Sequence, residues 1–402
     1  MKPLNNSVVT TPPSGIRKFF DIAQQMQDVI SLGVGEPDFV TPWHIREAAI
    51  HSIENGSTTY TGSAGLLELR EAICAQLFGR YAAQYSPIDE TIVTVGVSEG
   101  LDLALRTLLN PGDEVLIMEP CYVSYVPGIR FAGGVPVSIP TRGSEGFQVR
   151  PEEVEAAITP RTKAILLCYP SNPTGTTQTR ATMQVLVDIA VRHDLYIISD
   201  EIYDRLNYLQ DHVCVPTLQG ARERTILLNG FSKSYAMTGW RVGYLCAPRP
   251  IAEAILKVHQ YTLLCASHIS QIAALEAAKN GERAVLEMVE EYNQRRRYFV
   301  KGLNEIGLSC SEPSGAFYAF PSIAATGLTS EQFAERLLQE ERVAVIPGSA
   351  FGASGEGYIR CSYASSIRQL EQALERMGRF MLRCTGDSNG MSTAKVFEGV
   401  SC

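Results

Sequence analysis

Lys233 is the residue of this chain whose surroundings could make it chemically reactive. It lies in residues 229–244, NGFSKSYAMTGWRVGY, after an apolar run and beside Ser232, with Arg241 eight positions later. A hydroxyl and a guanidinium are good ligands for a phosphate group. A lysine close to other cations has its charged form disfavoured, which makes a nucleophilic amine accessible. Most lysines are surface charges, so this interpretation depends on the neighbouring motifs.

A carboxylate and an amide follow two other apolar runs. Asp200 comes directly after residues 196–199, YIIS, and a buried carboxylate needs a charged or hydrogen-bonded partner. The alternative role for Asp200 is an N-cap of the segment EIYDRL, in which Tyr203 could point in the same direction. Asn172 lies in YPSNPTG, where its amide could bind a ligand oxygen, although this composition is also that of an ordinary turn.

A third group of residues could bind an anion. Gly96, Val97 and Ser98 open the segment GVSEG at the predicted start of a helix. Backbone N–H groups at a helix start bind anions such as phosphate. Because many strand-to-helix turns contain glycine, this signal is weak alone and gains weight from Ser232 and Arg241.

These residues follow short apolar runs that alternate with helical segments in the middle of the chain. The pattern predicts buried parallel strands and an α/β fold. In such sheets ligands bind beyond the carboxyl ends of the strands, where these polar residues lie. The last hundred residues instead combine a long helix with short strand-like segments, which predicts a second, α+β unit. The predicted strands are residues 91–95, 114–118, 164–168, 196–199 and 225–229.

Together these groups meet the demands of pyridoxal 5'-phosphate (PLP). This cofactor needs a lysine for a Schiff base, an acidic partner for its ring nitrogen, a phosphate site, a stacking partner and donors to its phenolate oxygen. The candidates for these five roles, in the order just given, are Lys233; Asp200; Gly96, Val97, Ser98, Ser232 and Arg241; Tyr122; and Asn172 with Tyr203. Tyr122 could instead be an ordinary packed aromatic residue.

The motifs SNPTG, SDEIY and SKSYAMTGWRVGY, in this order and spacing, resemble the fold-type I PLP-dependent aminotransferases of class I/II. Further segments resemble the same family: SLGVGEPDFVTP, TTYTGSAGLLELREAI, PGDEVLIMEPCYVSY, PSGAFY and IRCSYA. The resemblance covers about residues 16–382, and the combination of motifs is very specific.

This resemblance implies a large domain with a mostly parallel seven-stranded sheet flanked by helices, and a smaller α+β domain built from both chain ends. The expected boundaries are residues 1–45 and 286–385 for the small domain and 46–285 for the large one. Residues 386–402 lack a convincing period and are expected to form a disordered tail. The resemblance also implies cis peptide bonds before Pro120 and Pro173.

The resemblance implies the PLP contacts given above and adds three residues. Arg360 in YIRCSYA would grip the substrate α-carboxylate in a two-pronged contact, helped by the Gly35 backbone; its alternative is a surface charge in a strand. Tyr60 would reach the phosphate of the neighbouring subunit, because the active sites of the family lie at the interface of a homodimer.

The activity that these features imply is transamination between an L-amino acid and a 2-oxo acid such as 2-oxoglutarate. The reaction would be ping-pong through pyridoxamine phosphate. Lys233 would move the α-proton, and Asp200 would keep the ring nitrogen positive. A carbon–sulfur β-lyase and an aminocyclopropane-carboxylate synthase would use the same fold and the same lysine.

Two alternatives come from other classes of protein. A cofactor-bound regulator would need an added DNA-binding segment, and only about fifteen residues precede the matching region. A nicotinamide dehydrogenase lacks support because no GxGxxG follows an early strand.

The substrate side chain is less well specified. Some aspartate-type relatives have a lysine where this chain has Ser98, so aspartate is weakened as a substrate without being excluded, because a partner subunit could supply a cation. Ile16, Phe19 and Phe20 lie where the N-terminal segment of the family borders the pocket. They favour aromatic or broad specificity, although a segment docked on the core would have the same pattern.

Composition argues against several other functions. The net charge is −8 and the densest basic run, QRRRYFVK, has the character of a solvated helix face, so no nucleic-acid partner is expected. No apolar run could span a bilayer and no targeting pattern opens the chain, so the expected location is the cytoplasm. The ten cysteines include no CxxC pair, which favours reduced thiols and no metal site.

Overall fold

The structure is a computed structural model that describes residues 1–13, 15 and 26–386. The expectations for Ile16, Phe19, Phe20 and the tail at residues 387–402 fall outside the described residues. The strands within the described residues are β1 (Ile30–Ser31), β2 (Thr91–Thr94), β3 (Glu114–Glu119), β4 (Val135–Pro140), β5 (Thr162–Cys168), β6 (Tyr196–Asp200), β7 (Thr225–Gly230), β8 (Gly243–Cys246), β9 (Tyr318–Ala319), β10 (Val343–Ala344), β11 (Ile346–Pro347) and β12 (Ile359–Ser362).

The α-helices surround these strands. In chain order they are α1 (Asn6–Val9), α2 (Trp43–Glu54), α3 (Leu67–Tyr81), α4 (Gly96–Leu108), α5 (Tyr125–Phe131), α6 (Pro151–Ala156), α7 (Arg180–Arg192), α8 (Arg249–Thr262), α9 (His268–Asn280), α10 (Glu282–Glu305), α11 (Ser330–Glu341) and α12 (Ile367–Thr385).

A seven-stranded sheet in the order β2-β8-β7-β6-β5-β3-β4 forms the centre of the fold. Its neighbours pair in parallel except for β8, which runs antiparallel to both β7 and β2. The predicted α/β class and mostly parallel sheet are confirmed, and each of the five predicted strands is present. All five therefore run in the same direction and place their carboxyl ends at one edge of the sheet.

The central strands are apolar because both faces of the sheet are covered. Leu166 of β5 packs into a cluster with α4 and α8, whereas its neighbours Ile165 and Leu167 pack into a cluster with α6 and α7. Side chains alternate across a strand, so a strand covered on both faces is a continuous apolar run. The edge strand β4, VPVSIP, is partly exposed and lacks such a run, which explains why it was not predicted.

The structure rules out the alternative role of Asp200. The segment EIYDRL after β6 forms turns and no helix, so Asp200 is not a helix N-cap. Its Oδ1 atom instead accepts a hydrogen bond from the Ile202 N–H at 3.2 Å, which closes a tight turn and leaves the carboxylate at the strand end.

The two ends of the described chain meet in a second group of strands. β1 pairs in parallel with β10, and β11, β12 and β9 form an antiparallel sheet. The long helix α10 was predicted, and it runs through the expected boundary at residues 285 and 286. The boundary at residues 45 and 46 likewise falls inside α2, so neither coincides with a linker.

Other features of the described residues bear on the earlier expectations. The peptide bonds before Pro120 and Pro173 are cis, as predicted, and so is the bond before Pro170. The nine cysteines in this part of the chain are unpaired, and no cluster of metal-ligating side chains occurs there. None of the described helices has the length and apolar character needed to cross a membrane.

Candidate active site

A cavity of about 470 Å³ lies beyond the carboxyl ends of β2, β5, β6 and β7, between them and the strands β9 and β12. The structure brings most of the predicted site residues to this cavity, although they come from distant parts of the chain. Those that line it are Gly35, Val97, Ser98, Tyr122, Asn172, Asp200, Tyr203, Ser232, Lys233, Arg241 and Arg360.

Lys233 enters the cavity from the turn after β7. Its Nζ atom donates a hydrogen bond to the backbone oxygen of Gly35 at 2.6 Å. Burial lowers the pKa of this amine to about 8; Glu36 and Asp200 oppose the shift, while Arg360 and Arg241 add to it. The amine therefore reaches its neutral, nucleophilic form close to physiological pH.

Asp200 ends β6 as a buried carboxylate that lacks a cationic partner. Its Oδ2 atom accepts a hydrogen bond from the Tyr125 hydroxyl at 2.7 Å. No lysine or arginine in the described residues forms a salt bridge with it, and of the groups that act on its pKa the charge of Lys233 has the smallest effect. Burial raises the pKa of Asp200 to about 6, against the stabilising hydrogen bond from Tyr125. A protonated nitrogen on a ligand would provide the missing cation.

The turn between β2 and α4 provides unpaired backbone donors. The first N–H groups of a helix have no partner within it, and here the N-cap residue Val95 supplies no side-chain bond. Gly96 has a φ of +72°, and a Cβ atom at this position would lie 2.5 Å from Nη2 of Arg241. The positive φ favours glycine here, and the absence of a Cβ atom lets the guanidinium lie against this turn. Ser232 also borders the cavity.

Arg360 on β12 is a buried guanidinium held by neutral acceptors. Its Nη1 atom donates to Oδ1 of Asn172 at 2.8 Å and Nη2 donates to the backbone oxygen of Gly33 at 2.6 Å. Its Nε atom has no hydrogen-bond partner among the described residues. The guanidinium also lies over the rings of Tyr318 and Phe351, at 4.5 and 5.0 Å. A carboxylate ligand would satisfy this positive charge.

Sequence reasoning did not identify two tyrosines in the cavity wall. Tyr125 donates to Asp200, and the hydroxyl of Tyr318 lies 2.8 Å from that of Tyr203. Both occur inside the motif segments PGDEVLIMEPCYVSY and PSGAFY. Nothing in their local spacing separates them from packed aromatics, so only the motif membership could have suggested them.

Three other predicted site residues do not line the cavity with their side chains. Gly96 belongs to the turn between β2 and α4, and Ile16 lies outside the described residues. The side chain of Tyr60 is 82% exposed and is not part of this cavity wall.

Comparison with known proteins agrees with this geometry. A family profile described as "Aminotransferase class I and II" matches residues 27–377. The chain is 53% identical to YugH of Bacillus subtilis (strain 168), a protein provisionally named an aminotransferase. That match covers 95% of this chain and 99% of YugH. It is 45% identical to an aspartate aminotransferase of Pyrococcus abyssi, over 92% and 96% of the two chains.

A solved structure supports the same relationship. An aromatic aminotransferase from Pyrococcus horikoshii superposes with a TM-score of 0.87 at 44% identity, over 91% of this chain and 98% of that one. Sequence and fold agree over nearly the whole length, and the chain therefore belongs to the class I and II aminotransferases.

Proposed function

We propose that this chain is a PLP-dependent transaminase acting between an L-amino acid, aromatic or of broad range with aspartate not excluded, and a 2-oxo acid such as 2-oxoglutarate. One observation carries the proposal: a partly buried lysine amine and a buried carboxylate without a salt bridge, Lys233 and Asp200, line the same cavity. A Schiff-base lysine and an acidic partner for the ring nitrogen are two of the groups that PLP chemistry demands of a protein.

The residues present fit this cofactor. Asp200 would hold the protonated ring nitrogen, and Asn172 and Tyr203 would donate to the phenolate oxygen. The face of Tyr122 would pack on the ring. When bound, PLP supplies an electron sink for the charge that develops at the substrate α-carbon. The phosphate would be held by the turn at Gly96, Val97 and Ser98 together with Ser232 and Arg241.

Three residues of this chain would handle the substrate. Arg360 binds the α-carboxylate through two guanidinium N–H groups, with help from the backbone of Gly35. This fixes the α-carbon for proton transfer. Lys233 removes the α-proton at Nζ, holds it, and returns it as a general acid. The lowered pKa of Lys233 suits an amine that must both take and give a proton.

A test of Arg360 uses substitution by lysine. Lysine keeps the positive charge but cannot form the bidentate contact. Loss of one charged hydrogen bond costs about 2–3 kcal/mol, so Arg360→Lys should lower kcat/KM roughly 30- to 150-fold, mainly through a higher KM. The matched control is Arg336→Lys on the exposed face of α11, which should leave steady-state kinetics unchanged. An unchanged KM in Arg360→Lys would remove Arg360 from the carboxylate site.

The pKa of Lys233 gives a pH prediction for the apoprotein. The neutral amine reacts and the ammonium does not, so the labelling rate should rise with pH and reach its half-maximum near 8, well below the usual value for lysine. The measurement is the rate of reductive methylation of the Lys233 peptide, followed by mass spectrometry. The exposed Lys301 is the internal control and should keep an ordinary profile. Identical profiles for the two lysines would contradict the buried, activated amine.

The relatives and the cavity support a broad side-chain preference. The relatives named above include an aspartate and an aromatic aminotransferase. Among the described residues, the cations that line the cavity are Lys233, Arg241 and Arg360, and each already has a proposed role. A second carboxylate on a substrate would therefore need a cation from outside this set of described residues, for example from the partner subunit.

We further propose a homodimer with shared active sites. Tyr60 lies outside its own cavity and is highly exposed. In the proposed dimer its hydroxyl would donate to the phosphate of the second copy. Its neighbours Thr59 and Thr61 are fixed by hydrogen bonds from His268 and Gln271, at 3.2 and 3.0 Å. Tyr261, Leu263 and Leu264, which precede His268 by a few positions in the chain, are exposed as well.

A small domain built from both chain ends is supported by the pairing of β1 with β10. We propose that residues 1–45 and 286–385 form this unit and that residues 46–285 form the PLP-binding domain.

The experiment that separates transaminase from lyase measures the need for an acceptor. Purified holoenzyme is incubated with an amino acid panel, with and without 2-oxoglutarate. A transaminase forms more than one equivalent of 2-oxo acid only when the acceptor is present, together with glutamate. Continuous release of pyruvate and ammonia without an acceptor would favour the β-lyase instead.

A further inference from the structure

Glu99 and His259 form a buried pair directly behind the anion-binding turn. Glu99 is 9% exposed and His259 is fully buried. Oε1 of Glu99 lies 2.7 Å from Nδ1 of His259 on α8. Oε2 of the same carboxylate accepts the backbone N–H of Val95, the residue that precedes Gly96. One carboxylate therefore connects the first residue of the turn to a neighbouring helix.

The opposite side of this turn is confined by close packing. A Cβ atom on Gly96 would meet the guanidinium of Arg241, and one on Gly243 of β8 would lie 2.8 Å from the carbonyl carbon of Gly96. Val95 has no side-chain capping bond of its own. Thr94 Oγ1 donates to the backbone oxygen of Gly96 at 2.9 Å, and Glu99 holds the preceding N–H group, that of Val95. The contact with Glu99 is therefore the side-chain restraint that ties this end of the turn to α8.

The energetics of this pair argue against a purely stabilising role. Burying two ionisable groups is costly, and replacing such a pair by apolar side chains of similar size is often neutral or stabilising. In addition, Nε2 of His259 is buried without a hydrogen-bond partner in the described part of the chain. Stability alone is therefore a weak reason for a buried pair of this kind.

We propose that Glu99 and His259 are positioning residues that hold residues 95–98 in the conformation that binds the cofactor phosphate. Glu99 does not touch the phosphate; it fixes Val95, and His259 fixes Glu99. The preorganised turn then presents its N–H groups to the anion with little reordering on binding. This inference rests on the PLP-dependent function proposed above.

The test compares PLP with pyridoxal, which lacks the phosphate group. Apoprotein is titrated with each ligand and the dissociation constants are measured by absorbance. The double variant Glu99→Met with His259→Leu should keep its melting temperature within a few degrees. It should bind PLP at least tenfold more weakly, while its affinity for pyridoxal stays within twofold of that of the wild type.

Two single variants make the test independent of how the double variant folds. Glu99→Gln retains an oxygen acceptor for the Val95 N–H and should keep PLP affinity within threefold, whereas Glu99→Ala should lose tenfold or more. The matched control is Glu114→Gln, a buried carboxylate paired with Arg161 at the amino end of β3, which should leave both affinities unchanged.

The outcomes separate this inference from the proposed function. Wild-type apoprotein that binds neither ligand through Lys233 would refute PLP dependence itself. Wild-type binding with unchanged PLP affinity in Glu99→Ala would overturn the positioning role alone. Equal losses for PLP and pyridoxal would also overturn it, because the effect would then be a general disturbance of the cavity.

Discussion

Lys233→Ala is expected to lower kcat roughly 10⁴-fold or more, because the variant loses both its covalent attachment to PLP and its general acid–base group. The fold should survive. The amine is buried at a position where its charged form is disfavoured, so its removal takes away a destabilising group. The measurements are steady-state kinetics, and mass spectrometry of protein treated with PLP and borohydride.

The control for this experiment is Lys301→Ala, which removes an exposed lysine on α10. It should keep wild-type kinetics and the borohydride-stable adduct. If Lys233→Ala still forms a reducible link to PLP at another lysine and keeps its activity, Lys233 is the wrong residue. A melting curve of Lys233→Ala distinguishes loss of the attachment site from loss of folding.

Asp200→Asn should lower kcat roughly 10³-fold, with little change in folding. The amide cannot offer a negative charge to a protonated ring nitrogen, so the charge that develops in the transition state loses its electrostatic support. An asparagine can still interact with the Tyr125 hydroxyl and the Ile202 N–H, which keeps the turn after β6 closed. Steady-state kinetics and a melting curve are the measurements.

Asp200→Glu provides the matched variant, because it restores the charge at a displaced position. Partial recovery relative to Asp200→Asn is the expected result. Equal activity of the wild type and Asp200→Asn would show that no cation binds to this carboxylate during catalysis.

The site residues that the sequence revealed share one physical property. Lys233, Asp200 and Asn172 each follow an apolar strand, and strands that run in the same direction bring their ends to one edge of the sheet. Strand apolarity can be read from a single sequence, since it reflects burial on both faces. The prediction of this part of the cavity therefore needed no knowledge of side-chain contacts.

The hydrogen bonds between distant residues of the site could not be predicted from the sequence in the same way. Arg360 and Asn172 are 188 positions apart, and Tyr203 and Tyr318 are 115 apart. Such contacts depend on how β9 and β12 pack against the central sheet, and no local pattern encodes that packing. The buried pair of Glu99 and His259 is separated by 160 positions for the same reason.

Local turn chemistry explains the remaining difference. EIYDRL has a helix-like composition, but Asp200 closes a turn through the Ile202 N–H and Leu228 accepts the Glu201 N–H. These tertiary and local hydrogen bonds outweigh intrinsic helix propensity, which is a weak preference. The antiparallel strand β8 was also not predicted, because it begins within the last residues of the motif that contains Lys233.

The most direct test of the central claim is the half-reaction of the holoenzyme with a single amino acid and no acceptor. The account predicts that the absorbance of the lysine-bound cofactor is converted to that of pyridoxamine phosphate, with one equivalent of 2-oxo acid released per site. Addition of 2-oxoglutarate should reverse the spectrum. Absence of conversion across the whole amino acid panel would contradict the account.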